Sequence, residues 1–373
     1  MKILFICSSL EPGCDGVGDY TRRLACELIR QGHFVEAISL NDKYISGQCL
    51  EVQTFDSVDL PVLRLPLNLP LAQKLNIAKK HIGEFNPDWI SLQFVIFGYH
   101  PKGLPLWLSK LATLGKNRRW HIMFHELWIG MARESSKKEK YWGLVQKYLI
   151  KKMVSDLNPK LITTQSSLYK AQLSRVNIES YHLPLFGNIP VAVSRLDEIP
   201  LSKNDVTLVV FGTIHPGAPV KQFVEEATVF KQKNNINISI KLIGRSGGEL
   251  NNWVSVWQDA GFLVEVLGEQ TADVISATLF KATIGISTSA YSMIEKSGTV
   301  AAMREHGLNV ICVANPYHPN GILNLPPPEG VFEYKGGNFE ECISHNSKLL
   351  SKINAAYVAK LFAELLATKN IKQ

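Results

Sequence analysis

The sequence has no uninterrupted apolar run long enough to cross a bilayer, which would take roughly 20 residues. The first apolar stretch, Lys2-Ile-Leu-Phe-Ile-Cys7, is too short for the core of a signal peptide and runs straight into Glu11-Pro-Gly-Cys-Asp15. It reads as a β-strand. Cysteine is sparse and scattered: Cys7, Cys14, Cys26, Cys49, Cys312 and Cys342 include no Cys-x-x-Cys pair. This argues against a zinc site and a disulfide framework, and fits a reducing cytosol. No Asp-x-Asp metal motif occurs. The net charge of +7 allows an anionic partner, but no RNA-binding, zinc-finger or other nucleic-acid signature accompanies it. Nucleic acid is therefore not expected, and the cytoplasm is the expected location.

What is present describes a globular chain. Apolar residues make up 46% and charged residues 20% of its 373 positions, which excludes disorder, and the length favours two domains.

Lys2–Cys7 is the first strand. Gly16-Val-Gly-Asp-Tyr20 opens a helix reaching about Gln31, Gly32 ends it, and Phe34–Leu40 is the second strand. The loop is too long, and a third glycine is missing, for a dinucleotide fingerprint. The glycines either approach a ligand's phosphate or sugar, or serve only the turn. Val62–Leu65 is a short strand, with Pro61 and Pro66 keeping the segment irregular. Leu71–Phe85 is a helix, and Trp89–Gln93 and Arg119–Phe124 are strands. The latter ends in His125-Glu126, at the strand end where ligands collect in open α/β sheets; a helix cap or a satisfied surface histidine is the plainer reading.

The segment 133–153 is basic, with Arg133, Lys137, Lys138, Lys140, Lys147, Lys151 and Lys152 against Glu134 and Glu139. Tyr141, Leu144, Val145, Tyr148 and Leu149 fall on one helical face. The segment reads as a helix packed on the sheet with a solvated basic face, or as one lying on an anionic membrane at its inner face.

After the strands Lys160–Thr164 and Glu179–Leu183, the pattern restarts. Val206–Gly212, Asn237–Gly244, Phe262–Leu267, Thr283–Thr288 and Leu308–Val313 are strands, separated by helical stretches at 221–233, 251–260, 271–281 and 299–306. Such alternation means a parallel sheet covered on both faces. The expected division is an N-terminal domain over 1–188, a linker over 189–204, a second domain over 205–345 and a C-terminal helical segment over 346–373.

The stretch Gly285–Ile311 carries the most chemistry. It reads as strand, polar loop, helix and strand, with the loop ending at a helix N-terminus. There the N–H groups of Gly298, Thr299 and Val300 and the positive end of the helix dipole favour an anion, and Gly298 permits close approach. Glu295 precedes this cradle and could accept hydrogen bonds from hydroxyl groups. A phosphate cradle beside a hydroxyl acceptor suits a nucleotide sugar; an ordinary strand–loop–helix crossover is the alternative.

With both halves laid out, the chain resembles the GT-B glycosyltransferases, specifically the family-four retaining enzymes, over nearly its whole length. The resemblance is carried by Gly16-Val-Gly-Asp-Tyr-Thr21 with Arg30-Gln-Gly-His33, by Phe124-His-Glu126, and by Asn188-Ile-Pro190. Phe211-Gly212 with Lys221, Ile243-Gly-Arg245, Leu267-Gly268 and Glu295–Ile311 complete it. It implies two doubly wound, Rossmann-like domains facing a cleft, the C-terminal one holding a nucleotide sugar and the N-terminal one the acceptor. His125 matches the family's histidine at the reaction centre, and Gly16 and Gly18 the segment approaching the diphosphate. Glu295 matches the first glutamate of the Glu-x7-Glu motif, on donor hydroxyls. Ser297, Gly298 and Thr299 fall to the diphosphate, and Lys221 and Arg245 to its charge. The implied reaction is front-face transfer from a UDP- or GDP-sugar to a glycan, lipid or small molecule, in which a donor phosphate oxygen helps take the acceptor's proton. No metal or other cofactor is required.

Two positions depart from the family. Met303 stands where the second glutamate should be, and Glu305, two residues on, points elsewhere on a helix. Thr213 stands where an arginine usually follows the glycine of Phe211-Gly212; Arg245 is the candidate to compensate. These departures keep open a non-catalytic nucleotide- or glycan-binding protein that kept the fold; a nucleotide-sugar epimerase of the same fold is the other alternative.

Overall fold

The computed structural model describes residues 1–115, 118–191, 205–322, 324–345 and 351–369. Most of the expected linker, 192–204, lies outside the described residues, as do 346–350 and 370–373 of the expected C-terminal segment. The chain divides into two compact units, one comprising Met1–Pro184, Pro319–Leu323 and Ala355–Gln373, the other Leu185–His318 and Asn324–Asn354.

In the first unit the chain runs β1 (Lys2–Cys7), α1 (Gly16–Arg30), β2 (Phe34–Asp42), β3 (Cys49–Phe55), β4 (Val58–Pro66), α2 (Leu71–Phe85), β5 (Trp89–Phe94), α3 (Ile96–Tyr99), β6 (Arg119–Phe124), α4 (Lys137–Leu157), β7 (Leu161–Thr164), α5 (Ser167–Ser174) and β8 (Tyr181–His182). The sheet order is β3-β4-β2-β1-β5-β6-β7-β8. Its pairs are parallel except the hairpin β3–β4. The central strands β1 and β5 are almost wholly buried, as a parallel sheet covered on both faces requires.

The hairpin extends well beyond the short strand expected at Val62–Leu65. It turns on Asp56 and Ser57, both at positive φ, a geometry that normally signals itself by glycine or asparagine. Pro61 is accommodated because pairing to β2 begins only at Val62, so its missing N–H falls outside that ladder.

Helix α4 starts four residues later than the basic segment, where Ser136 and Glu139 form a capping box. Gly143, Gln146, Ile150, Met153 and Leu157 are its buried residues. The apolar group expected on one face divides: Val145 and Leu149 are half-buried, while Tyr141, Leu144 and Tyr148 are exposed.

The second unit runs β9 (Asp205–Phe211), α6 (Val220–Asn234), β10 (Asn237–Ile243), α7 (Leu250–Asp259), β11 (Leu263–Gly268), α8 (Ala272–Lys281), β12 (Ile284–Ser287), α9 (Gly298–Glu305), β13 (Val310–Cys312), β14 (Val331–Glu333) and α10 (Phe339–Ser344). Its six strands, ordered β11-β10-β9-β12-β13-β14, are all parallel. Strand order reverses between β9 and β12, and such a switch opens a crevice at the carboxyl ends of the two strands. One core packs Phe223, Trp253 and Trp257 against one face of the sheet, and the other packs Val300, Met303 and Leu308.

The last helix, α11 (Ala355–Thr368), belongs to the first unit rather than standing as a separate segment. Its Phe362 is fully buried, 6.0 Å from the ring of Phe5 and 4.9 Å from that of His121.

Candidate functional site

The second unit's switch point carries an open pocket of about 510 Å³, lined by the loops that follow β9, β12 and β13. Thr288 ties the β12 loop to the β9 loop, its Oγ1 accepting from His215 N at 2.8 Å and donating to Thr213 O at 3.2 Å. Gly217 sits at φ +79°, where a Cβ would fall 2.1 Å from Asn315 Nδ2, so this close approach of the β9 and β13 loops requires glycine.

The start of α9 forms one wall of the pocket. Ser297 is its N-cap, with Oγ accepting from Val300 N at 3.4 Å, while Ser297 O accepts from Ala301 N at 3.0 Å. The N–H groups of Gly298 and Thr299 take no partner among the described residues, as the first turn of a helix dictates. A Cβ on Gly298 would meet nothing within 4 Å, so the backbone there is open to approach. Lys296 and His215 also line the pocket. Lys296 adds a cation beside the positive end of the dipole. Together these groups favour a di-anion such as a diphosphate.

The remaining expected residues of this unit are distributed unevenly. Glu295 is half-buried in the 3-10 turn Tyr291–Lys296; its neighbours Met293 and Lys296 line the pocket and it does not. Lys221, on the first turn of α6, is exposed and outside the lining. Arg245 is also outside it, with its guanidinium 2.8 Å from Glu269 and a side chain 73% exposed.

Met303 has a packing explanation. It is fully buried, and a Cβ on Gly285 of β12 would lie 2.5 Å from its Sδ. A glutamate in that orientation would place a carboxylate in the apolar core of Val209, Ile243 and Leu308. Glu305 is likewise buried, and its Oε1 accepts from Gly187 N at 2.5 Å. It anchors the first residues of the second unit and is not available to a ligand in place of Met303.

In the first unit, His125 ends a buried chain of polar side chains. Its Nε2 lies 2.8 Å from Gln93 Oε1, and Gln93 Nε2 donates to Ser91 Oγ at 2.8 Å. Ser91 Oγ lies 2.8 Å from His121 Nδ1, and His121 Nε2 lies 2.8 Å from Thr163 Oγ1. Thr163 Oγ1 in turn donates to Met123 Sδ at 2.9 Å.

The residue spacing explains the chain: Ser91 and Gln93 share one face of β5, His121 and Met123 one face of β6. Donors and acceptors must alternate along it. With Thr163 donating to sulfur, His121 holds its proton on Nε2 and accepts at Nδ1 from Ser91. Gln93 then donates to Ser91, and His125 donates to Gln93 from Nε2. The chain thus keeps a proton on His125 Nε2. Burial, and secondarily the charge of His125, lower the pKa of His121 to about 3, which keeps that ring neutral. Tyr20 of α1 packs edge-on against His125, with ring centroids 4.9 Å apart.

The two glycines in the first turn of α1 have different surroundings. Gly18 is buried, and a Cβ there would fall 2.6 Å from Ser9 O; it lets α1 pack on the end of β1. Its N–H and that of Val17 are held by Asp15 Oδ1 at 2.8 and 3.0 Å. Gly16 is exposed with nothing near it. Sequence reasoning missed the lining roles of Lys296, Thr288 and Asn315. Lys296 had a signal, a cation directly before the cradle; Thr288 and Asn315 join the site only through the folding of the sheet.

No protein-family model matches the sequence, and a search of curated proteins finds no match. Among solved structures the chain is similar to HepE from Anabaena in complex with UDP, with a TM-score of 0.59 at 13% identity, covering 99% of this chain and 100% of that one. It is similar to the UDP-GlcNAc 2-epimerase from Neisseria meningitidis bound to UDP-GlcNAc, with a TM-score of 0.58 at 11% identity, covering 99% and 100%. A glycosyltransferase from Rickettsia africae gives a TM-score of 0.56 at 12% identity, covering 100% and 99%. At these identities the likeness shows the fold: GT-B, with two Rossmann-like domains, as the resemblance implied. The resemblance to family four rests on the sequence motifs alone.

Proposed function

We propose that this chain is a retaining, metal-independent glycosyltransferase that moves a sugar from a UDP- or GDP-sugar to a glycan, lipid or small-molecule acceptor. The observation that carries the reading is the pocket at the β9/β12 switch point, where the open start of α9 and Lys296 converge. In this reading the N–H groups of Gly298 and Thr299 hold the diphosphate. When the bond from the anomeric carbon to the diphosphate oxygen breaks, the negative charge grows on that oxygen, and the fixed dipole and Lys296 stabilise it without reorganising. Glu295 takes the donor's sugar hydroxyls, and His125 stands at the reaction centre with its proton on Nε2. Lys221, Arg245, Gly16 and Gly18 complete the family's pattern as outer contributors. A role in making a surface polysaccharide, glycolipid or other glycan, in the cytoplasm, fits this donor class.

The reading draws support from HepE, whose structure holds UDP, within the shared fold. Calorimetry with UDP, GDP, ADP, TDP and their common sugar conjugates, with and without Mg²⁺, tests it. A metal-independent preference for one diphosphate is expected. No binding at millimolar concentration would exclude the donor site and favour a glycan-binding protein without catalysis.

A second reading, nucleotide-sugar epimerisation, is supported by the likeness to a UDP-GlcNAc 2-epimerase within the shared fold. Incubating the protein with UDP-GlcNAc and no acceptor separates the two, because only an epimerase converts the donor to its epimer.

A further inference from the structure

Helix α4 is committed to the fold on one face only. On the outer face Tyr141, Leu144 and Tyr148 are 67%, 60% and 65% exposed. Their i, i+3, i+7 spacing aligns them in one stripe along the helix. Lys137 and Lys138 stand one turn before the stripe and Lys151 and Lys152 follow it, all exposed. Leu106, 74% exposed, continues the apolar surface beside Leu149 on the neighbouring loop. Lys137 and Lys138 occupy the first two helical positions after the Ser136 cap, where the macrodipole disfavours cations. Neither an apolar stripe in water nor cations at a helix N-terminus serve the stability of this helix.

We infer that α4 seats the protein on an anionic lipid surface. Tyr141, Leu144 and Tyr148 enter the headgroup layer, where amphipathic rings are favoured. The lysines reach the lipid phosphates with their stems lying along the apolar stripe. A second copy of the chain is a poorer occupant. A two-fold contact would set the same lysines against each other, and three large side chains fall short of the roughly 20–30 residues a stable interface uses on each side. The inference is independent of the nucleotide-sugar reading, since none of these residues lines the candidate pocket.

Vesicle flotation of the full chain tests it, comparing neutral phosphatidylcholine with vesicles containing about 30% anionic phosphatidylglycerol. Binding to the anionic vesicles at low salt, and its loss at about 0.5 M salt, are expected because the Debye length shrinks. The triple variant Tyr141→Ser, Leu144→Ser, Tyr148→Ser should weaken binding at least about tenfold. Lys137→Ala, Lys138→Ala, Lys151→Ala should weaken it by up to about a hundredfold, at roughly fivefold per lysine. Neither variant should lose thermal stability or UDP binding, since all six side chains are exposed. Absence of binding to anionic vesicles at low salt, or binding that neither variant weakens, would overturn the inference. So would self-association abolished by the tyrosine and leucine changes without any vesicle binding.

Discussion

Gln93→Leu is the sharpest probe of the polar chain that ends at His125. The change keeps the volume of a buried side chain that is 1% exposed but removes both ends of its amide. His125 Nε2–H then loses the acceptor 2.8 Å away, and Ser91 Oγ loses the donor at 2.8 Å. Ser91 can still donate to His121, so the main cost is one buried N–H facing an apolar group, about 1–3 kcal/mol. At ~2 kcal/mol, and about 2–4 °C per kcal/mol for a unit of this size, the melting temperature should fall by roughly 4–8 °C. The histidine tautomer is a separate readout. In ¹⁵N spectra of the parent protein, His125 should carry its proton on Nε2; in the variant that preference should relax toward a mixture. If transfer activity falls while the tautomer holds, His125 acts but the chain does not set its proton. An unchanged melting temperature together with an unchanged tautomer would refute the reasoning.

His121 makes stability depend on acid. Its folded pKa is lowered by burial to about 3 from 6.5, so below pH 6.5 the unfolded chain binds a proton that the folded chain refuses. Its contribution is intact above pH 6.5 and lost progressively down to pH 3, at about 1.4 kcal/mol per pH unit. Chemical denaturation of His121→Gln should show a shallower fall over that window; an identical pH profile would remove His121 as the cause. Gly18→Ala should destabilise by roughly 1–3 kcal/mol, because the new Cβ meets a backbone carbonyl at 2.6 Å. Gly298→Val should leave the fold intact, since nothing lies within 4 Å, yet abolish diphosphate binding in calorimetry; retained binding would place the anion elsewhere. Lys296→Ala should weaken diphosphate binding about tenfold or more. Arg245→Ala should change it less than about twofold, because that guanidinium is exposed and held by Glu269.

Periodicity made most of the fold legible. The largely apolar runs at Lys2–Cys7, Trp89–Phe94 and Asp205–Phe211 are mostly buried central strands, and burial on both faces leaves a dense apolar signal even where Ser91 and Gln93 interrupt it. The β3–β4 hairpin was not legible, because an edge strand alternates exposed and half-buried residues and its turn uses Asp56-Ser57 instead of glycine. Helix α10 and strand β14 are too short to show a period. The start of α9 could be read because Ser297-Gly298-Thr299 combines a cap with an open backbone, both local properties.

The sequence by itself determined two Rossmann-like domains and the capped start of α9 at Ser297, because strand–helix alternation and helix capping depend only on neighbours along the chain. Tertiary structure alone decided the rest. It buried Met303 against Gly285, tied Glu305 to Gly187, and drew Thr288 and Asn315 into the pocket. It also linked Ser91, Gln93, His121 and Thr163 into the chain behind His125. Those contacts join residues on different strands, helices and loops, and their partners are chosen by strand order and register, which no local pattern specifies.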